Sequence, residues 1–133
     1  MSDADIEDRQ ALADLLASYA AAVDDRDLAR YAECFSENVE IVGFGEQTMH
    51  GRDNWVNYVG EALKQYTATQ HLLGSQLADV HGDEASTRTD VQATHFREGE
   101  PPAILWATYL SRMRRIDGHW RICRHELVVR GTG

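Results

Sequence analysis

His71 stands in TATQH at the start of a run of β-type residues, with no second histidine or cysteine at the spacing that would make it half of a metal site. A lone imidazole of this kind serves either as hydrogen-bonded structure or as a general base suited to neutral pH. To work as a base it needs a carboxylate on its far ring nitrogen. That partner fixes the tautomer, orients the ring and stabilises the imidazolium formed when a proton is taken. The segment VDDRD offers Asp24 and Asp25 at the end of an apolar-periodic stretch. Asp24 follows Ala20 on one apolar edge, and Asp25 is rotated about 100° further round, so periodicity leaves both open. Such a pair resembles a hydrolase triad without its nucleophile, and its chemistry is proton transfer.

Period-two alternation places further polar residues on mainly apolar strand faces. His71 shares a face with Leu73, Ser75 and Leu77, and His95 with Val91 and Ala93. Tyr109 sits with Leu105, Ala107, Ser111 and Met113, and His125 with Cys123, Leu127 and Val129. These imidazoles and this phenol exceed what packing requires. For His95 and His125 the alternative is a solvated face or a subunit contact. His81 and His119 fall in turns, and His50 has no assigned role. No HxH or HExxH spacing occurs, and no P-loop or GxGxxG, so neither metal nor organic cofactor is expected.

The elements that must position these groups follow from periodicity. Residues 3–23 carry Ile6, Leu12, Leu15, Leu16, Tyr19, Ala20 and Val23 at helical steps, with Asp3 or Asp5 as cap. A second helix runs through LARYAECF and stops at SEN, and VEIVGF reads as a strand. A third helix follows HGRD, capped by Asp53, with Trp55, Val56, Val59 and Leu63 on its stripe. After Tyr66 come four long strands, TQHLLGSQLADV, ASTRTDVQATHFR, AILWATYLSRMRRI and HWRICRHELVVR, separated by the turn sequences HGDE, EGEPP and IDGH. Helices first and a meander after them make an α+β fold, a strongly curved antiparallel sheet wrapped round three N-terminal helices to leave a cone with an interior pocket.

The chain has 133 residues, 43% apolar and 26% charged, which predicts one domain, 1–133, with its own core. A net charge of −9 excludes the basic face that nucleic acid requires. No apolar run approaches the roughly 18 residues of a membrane helix, and the acidic start MSDADIEDRQ lacks the features of a signal peptide. A cytoplasmic protein with two free thiols, Cys34 and Cys123, is expected. The expected partner is a small apolar or ring-containing molecule, not nucleic acid or membrane. Apolar residues left on outer strand faces, Trp106, Leu110 and Val128, predict a homodimer, or alternatively a homotrimer.

The order SYAAAVDDRD, HGRDNW, TATQHLLG and RRIDGHWRI resembles the SnoaL-like branch of the nuclear transport factor 2-like superfamily over essentially the whole chain. The resemblance implies a cone-shaped, cystatin-like α+β barrel with a deep pocket, in dimers or trimers. Within the branch the chain is most similar to cofactor-free lyases: scytalone dehydratase, bile acid 7α-dehydratase and hexachlorocyclohexane dehydrochlorinase. Those enzymes pair an aspartate at the end of the first helix with a histidine in a T-x-H or Q-H strand segment, which selects Asp24 over Asp25 as the partner of His71. Tyr19 matches a tyrosine of the bile acid enzyme, and His95 a second pocket histidine of scytalone dehydratase. His125 stands where the dehydrochlorinase has arginine. Val23 and Tyr109 depart from scytalone dehydratase, so that enzyme's substrate is not implied. The resemblance thus implies a dehydratase- or dehydrochlorinase-like lyase with Asp24, His71, Tyr19 and His95 catalytic, and Tyr109, His125, Trp55 and Leu73 lining the substrate space. The alternatives on the same fold are an isomerase or polyketide-cyclase-like enzyme, or a non-catalytic ligand-binding or dioxygenase-small-subunit-like protein.

Overall fold

The computed structural model describes residues 2–133. Helix α1, Asp3–Asp24, is capped by Ser2 instead of Asp3 or Asp5: the Ser2 hydroxyl accepts the Asp5 N–H at 3.2 Å while the Asp5 carboxylate accepts the Ser2 N–H at 3.2 Å. This reciprocal box satisfies orphan donors of the first turn. The face carrying Leu12, Leu16, Tyr19 and Val23 is buried. Helix α2, Leu28–Glu33, is capped by Asp27 and ends before the aromatic residue Phe35, which opens strand β1, Phe35–Val42. The Ser36–Asn38 stretch therefore lies in a strand and not in a break. A two-residue strand β2, Met49–His50, precedes helix α3, Arg52–Leu63, whose N-cap is Gly51 at φ 95° with Asp53 in the first turn.

The long strands are β3, Ala68–His81; β4, Glu84–Phe96; β5, Ala103–Ile116; and β6, His119–Thr132. They form an open six-stranded sheet in the order β2-β1-β6-β5-β4-β3. The β5–β6 hairpin turns at Asp117 and Gly118, both at positive φ, as the Asp-Gly pair predicts. The sheet is mixed and not wholly antiparallel, because β1 runs parallel to β6. That pairing is made across the helical region and not through a turn, so no local signal announces it.

Three bulges bend the long strands. In β3 the register shifts between Leu73 and Gln76, so Gly74 and Ser75 together oppose one residue of β4. In β6 one extra residue lies at Cys123, between the pairs Arg112–Arg124 and Met113–Ile122, and another between the pairs of Trp106 and Ala107. Each adds local twist and curls the sheet. The bulges also overturn two of the expected faces. Leu77 does not share the face of His71 but is 70% exposed, with Gln76, Ala78 and Val80 turned inward in its place. Cys123 leaves the His125 face, half-buried with its thiol donating to the Arg112 carbonyl.

α1 packs chiefly on β3. The core gathers between the helices and the concave face, where Leu12, Phe35, Val39 and Ile122 are fully buried. No described helix is long and apolar enough to cross a membrane.

Candidate active site

The last residue of α1 and the first turn inward of β3 meet at the edge of this core. Asp24 Oδ1 lies 2.8 Å from His71 Nδ1, and Asp24 Oδ2 accepts the His71 backbone N–H at 2.8 Å. A carboxylate only accepts, so Nδ1 carries the ring proton and Nε2 keeps its lone pair. No described residue hydrogen-bonds His71 Nε2. Burial acts to raise the Asp24 carboxyl, but the hydrogen bonds from the His71 ring and backbone, its charge and the Thr69 hydroxyl hold it below the ordinary carboxylate value.

Thr69 and Arg26 belong to this arrangement and carry no isolated sequence signal. Thr69 Oγ1 donates to Asp24 Oδ1 at 3.0 Å and accepts from Arg26 Nη1 at 2.8 Å. Arg26 Nη1 also donates to the Val23 carbonyl at 2.9 Å, clasping the end of α1. Arg26 holds φ 59°, the left-handed conformation that lets the chain turn out of α1 into the Asp27 cap of α2. The motif VDDRD is thus a helix exit as well as the source of a carboxylate.

His71 opens on a cavity of about 180 Å³ that Tyr19, Trp55, His95 and Tyr109 also line. Aromatic residues that carry no site signal in the sequence complete it: Tyr31, Tyr58, Tyr66 and Phe44, the last expected in a strand but lying beyond the end of β1. Phe44, between two glycines after β1, packs edge-on to Trp55 at 4.8 Å. The His95 ring lies 6.2 Å from that of His71 and 4.7 Å from Tyr66. Burial and the charge of His71 push the His95 imidazole below its ordinary value, so it is neutral at neutral pH. Burial raises the Tyr19 and Tyr109 phenols well above theirs. They remain protonated hydroxyls, able to donate a hydrogen bond.

Two residues expected to line the substrate space lie outside this cavity. Leu73 is inward but packs against the core one pair beyond the cavity wall. His125 faces inward as alternation requires, yet is 0% exposed, with Ser111 and Tyr19 on its two ring nitrogens. Period-two alternation gives the face of a residue and not its depth. Among the described residues no group of three or more His, Cys, Asp or Glu is gathered as metal ligands would be.

The SnoaL-like domain family matches residues 4–126. The chain belongs to this family. Solved structures place the SnoaL-like chain in the nuclear transport factor 2-like, cystatin-like fold. A Novosphingobium aromaticivorans protein with the provisional name scytalone dehydratase superposes with TM-score 0.93 at 25% identity, covering 100% of this chain and 91% of its own. A hexachlorocyclohexane dehydrochlorinase, LinA type 2, gives TM-score 0.88 at 24% identity, covering 99% and 92%. A Nostoc punctiforme protein of unknown function, described as having a cystatin-like fold, gives 0.79 at 20% identity, covering 92% and 90%. No curated protein matches the sequence.

Proposed function

We propose that this SnoaL-like chain, acting as one domain, is a small-molecule lyase in which His71 is the general base and Asp24 its orienting partner. The observation that carries the reading is the two-point hold of Asp24 on His71, which leaves Nε2 with a free lone pair at an aromatic cavity. In the reaction Nε2 takes a proton from the carbon beside an activating carbonyl. The electron pair of that C–H bond becomes a C=C bond as the bond from the β-carbon to its leaving group breaks, a halide departing as the anion and a hydroxyl as water once it is protonated. The imidazolium so formed faces the Asp24 carboxylate and gives its proton up to the departing hydroxyl or, where halide leaves, to solvent. Hydroxyls of Tyr19 and Tyr109 supply hydrogen bonds to the carbonyl oxygen as it gathers charge, and His95 faces the leaving group. No metal or cofactor is invoked.

The similarity to a named dehydrochlorinase and to a provisionally named dehydratase supports the elimination chemistry. The cavity, at about 180 Å³, lies below the roughly 300 Å³ at which drug-sized pockets begin, which favours a substrate of about one ring. Exposed apolar residues on the outer sheet face, Leu72, Leu77 and Trp106, support self-association as a homodimer.

The test is to screen cyclic β-hydroxy carbonyl and halogenated ring compounds for elimination. With a substrate in hand, His71→Ala lowers turnover by about 10²-fold or more while the fold persists. A folded His71→Ala protein with near-normal turnover refutes the reading.

A further inference from the structure

His125 bonds Tyr19, a cavity residue, from a position outside the cavity. Its Nε2 lies 3.0 Å from Tyr19 Oη and its Nδ1 lies 2.8 Å from Ser111 Oγ. All three residues are almost wholly buried, Tyr19 at 2%, Ser111 at 4% and His125 at 0% exposure. Burial pushes the His125 imidazole down to about 3, so the ring is neutral and carries one N–H and one lone pair. The two contacts therefore run in the same sense along the chain, and only two arrangements exist.

In one arrangement Tyr19 donates to Nε2 and Nδ1–H donates to Ser111. The Ser111 proton is then left buried, and no described residue offers it another acceptor. In the other, Ser111 donates to Nδ1 and Nε2–H donates to Tyr19 Oη. The one proton left over is that of Tyr19, which lines the cavity. Buried donors are almost always paired, which favours the second arrangement. The Tyr31 and Tyr109 hydroxyls adjoin that of Tyr19 and their rings line the same cavity, so a proton that Tyr19 turns toward either stays on the cavity side. Trp55 Nε1, which can only donate, gives its N–H to Tyr31 Oη at 3.0 Å. Handing the bond from Tyr19 to Tyr31 would merely move the spare proton to another ring on the same cavity.

We infer that Ser111 and His125 act as a buried pair that fixes the Tyr19 hydroxyl as a hydrogen-bond donor toward the cavity, with His125 in its neutral Nε2–H form. On the lyase reading, which this inference extends, the donated proton meets the substrate's carbonyl oxygen while His71 works at the neighbouring carbon. His125 and Ser111 are positioning residues, since they act through Tyr19.

The experiment begins with the 15N spectrum of the substrate-free protein. His125 is expected to show a protonated Nε2 and a bare Nδ1 from about pH 5 to pH 8. A protonated Nδ1, or an imidazolium, overturns the inference. In turnover, His125→Phe keeps a ring but no donor and lowers kcat about tenfold or more with KM little changed, whereas His125→Gln retains a donor for Tyr19 and recovers most of the loss. Unchanged kcat in folded His125→Phe overturns the inference. So does a His125→Gln variant as slow as His125→Phe. Should His125→Phe fail to fold, the wild-type spectrum still decides. That spectrum needs no substrate, so failure of His71 as base leaves it standing, and a protonated Nδ1 leaves the His71 reading intact.

Discussion

Asp24 commits both carboxylate oxygens to one residue, Oδ2 to the backbone N–H of His71 and Oδ1 to its ring Nδ1, each at 2.8 Å. The backbone bond fixes where the strand stands relative to α1, and the ring bond fixes which nitrogen faces the cavity. Position and tautomer of His71 are thus set by the same group, which ties the stability of the α1–β3 junction to the chemistry.

Asp24→Asn cannot satisfy both contacts. An amide nitrogen in place of Oδ2 opposes the His71 backbone N–H, and in place of Oδ1 it forces the ring proton onto Nε2, where the base lone pair belongs. Turnover is expected to fall about 10²- to 10⁴-fold and stability by about 1–3 kcal/mol. Parallel rate measurements and thermal melts check both, and a variant that melts lower at full turnover would separate structure from catalysis.

Thr69→Val removes a donor to Asp24 and an acceptor for Arg26 at nearly constant shape. A cost of about 1–2 kcal/mol is expected at neutral pH. The folded Asp24 carboxyl is depressed below the ordinary carboxylate value of 3.8, so its contribution is full above that value and is lost as pH falls through the lower folded one. The Thr69 hydroxyl helps the ionised form only. The deficit of Thr69→Val should therefore narrow below about pH 3.8, measurable by denaturant unfolding at a series of acid pH values.

Asp24 and His71 were legible because one ends a stretch of helical period and the other stands near the start of a strand, each in a position that family resemblance also marks. The three N-terminal helices and the four long strands were legible from their periods. What the sequence hid has a common physical cause. A bulge is one extra residue in an otherwise regular alternation, and after Gly74 and Ser75 it reverses the faces that the residues before it predict. Leu77 was misplaced for that reason, and Cys123 for the same reason in β6. The parallel β1–β6 pair joins segments far apart in the chain. His125 was assigned the right face and the wrong depth, since Tyr19, from another element, stands between it and the cavity.

Gly43 joins β1 to the cavity wall at φ 85°, and a Cβ there would stand 2.3 Å from the Leu127 carbonyl oxygen. Backbone cannot swing aside as a side chain can. Gly43→Ala is expected to cost about 2 kcal/mol or more and to loosen Phe44 from Trp55. Gly82→Ala, also at positive φ but with nothing within 4 Å of its Cβ, should cost only about 1 kcal/mol. Melting temperatures of the two variants test the contrast, and equal losses would mean that the Leu127 contact is not limiting.

Acid stability reports on His125. Its folded value of about 3 lies below the ordinary 6.5, so the unfolded chain binds a proton in the interval where the folded protein does not. The fold then loses stability as pH falls from 6.5 toward 3, at roughly 1.4 kcal/mol per pH unit in this interval. Above 6.5 neither state is protonated there, and the residue adds no slope. His125→Gln can keep a bond to Tyr19 but does not titrate, so its stability should fall more gently over the same interval. Carboxylates common to both proteins contribute equally and cancel in the difference. Denaturant midpoints for wild type and His125→Gln at several pH values between neutrality and about pH 4 provide the measurement. Curves that converge on acidification bear out a buried neutral imidazole; curves that stay parallel would show that His125 titrates alike in both states, at odds with its burial between Ser111 and Tyr19.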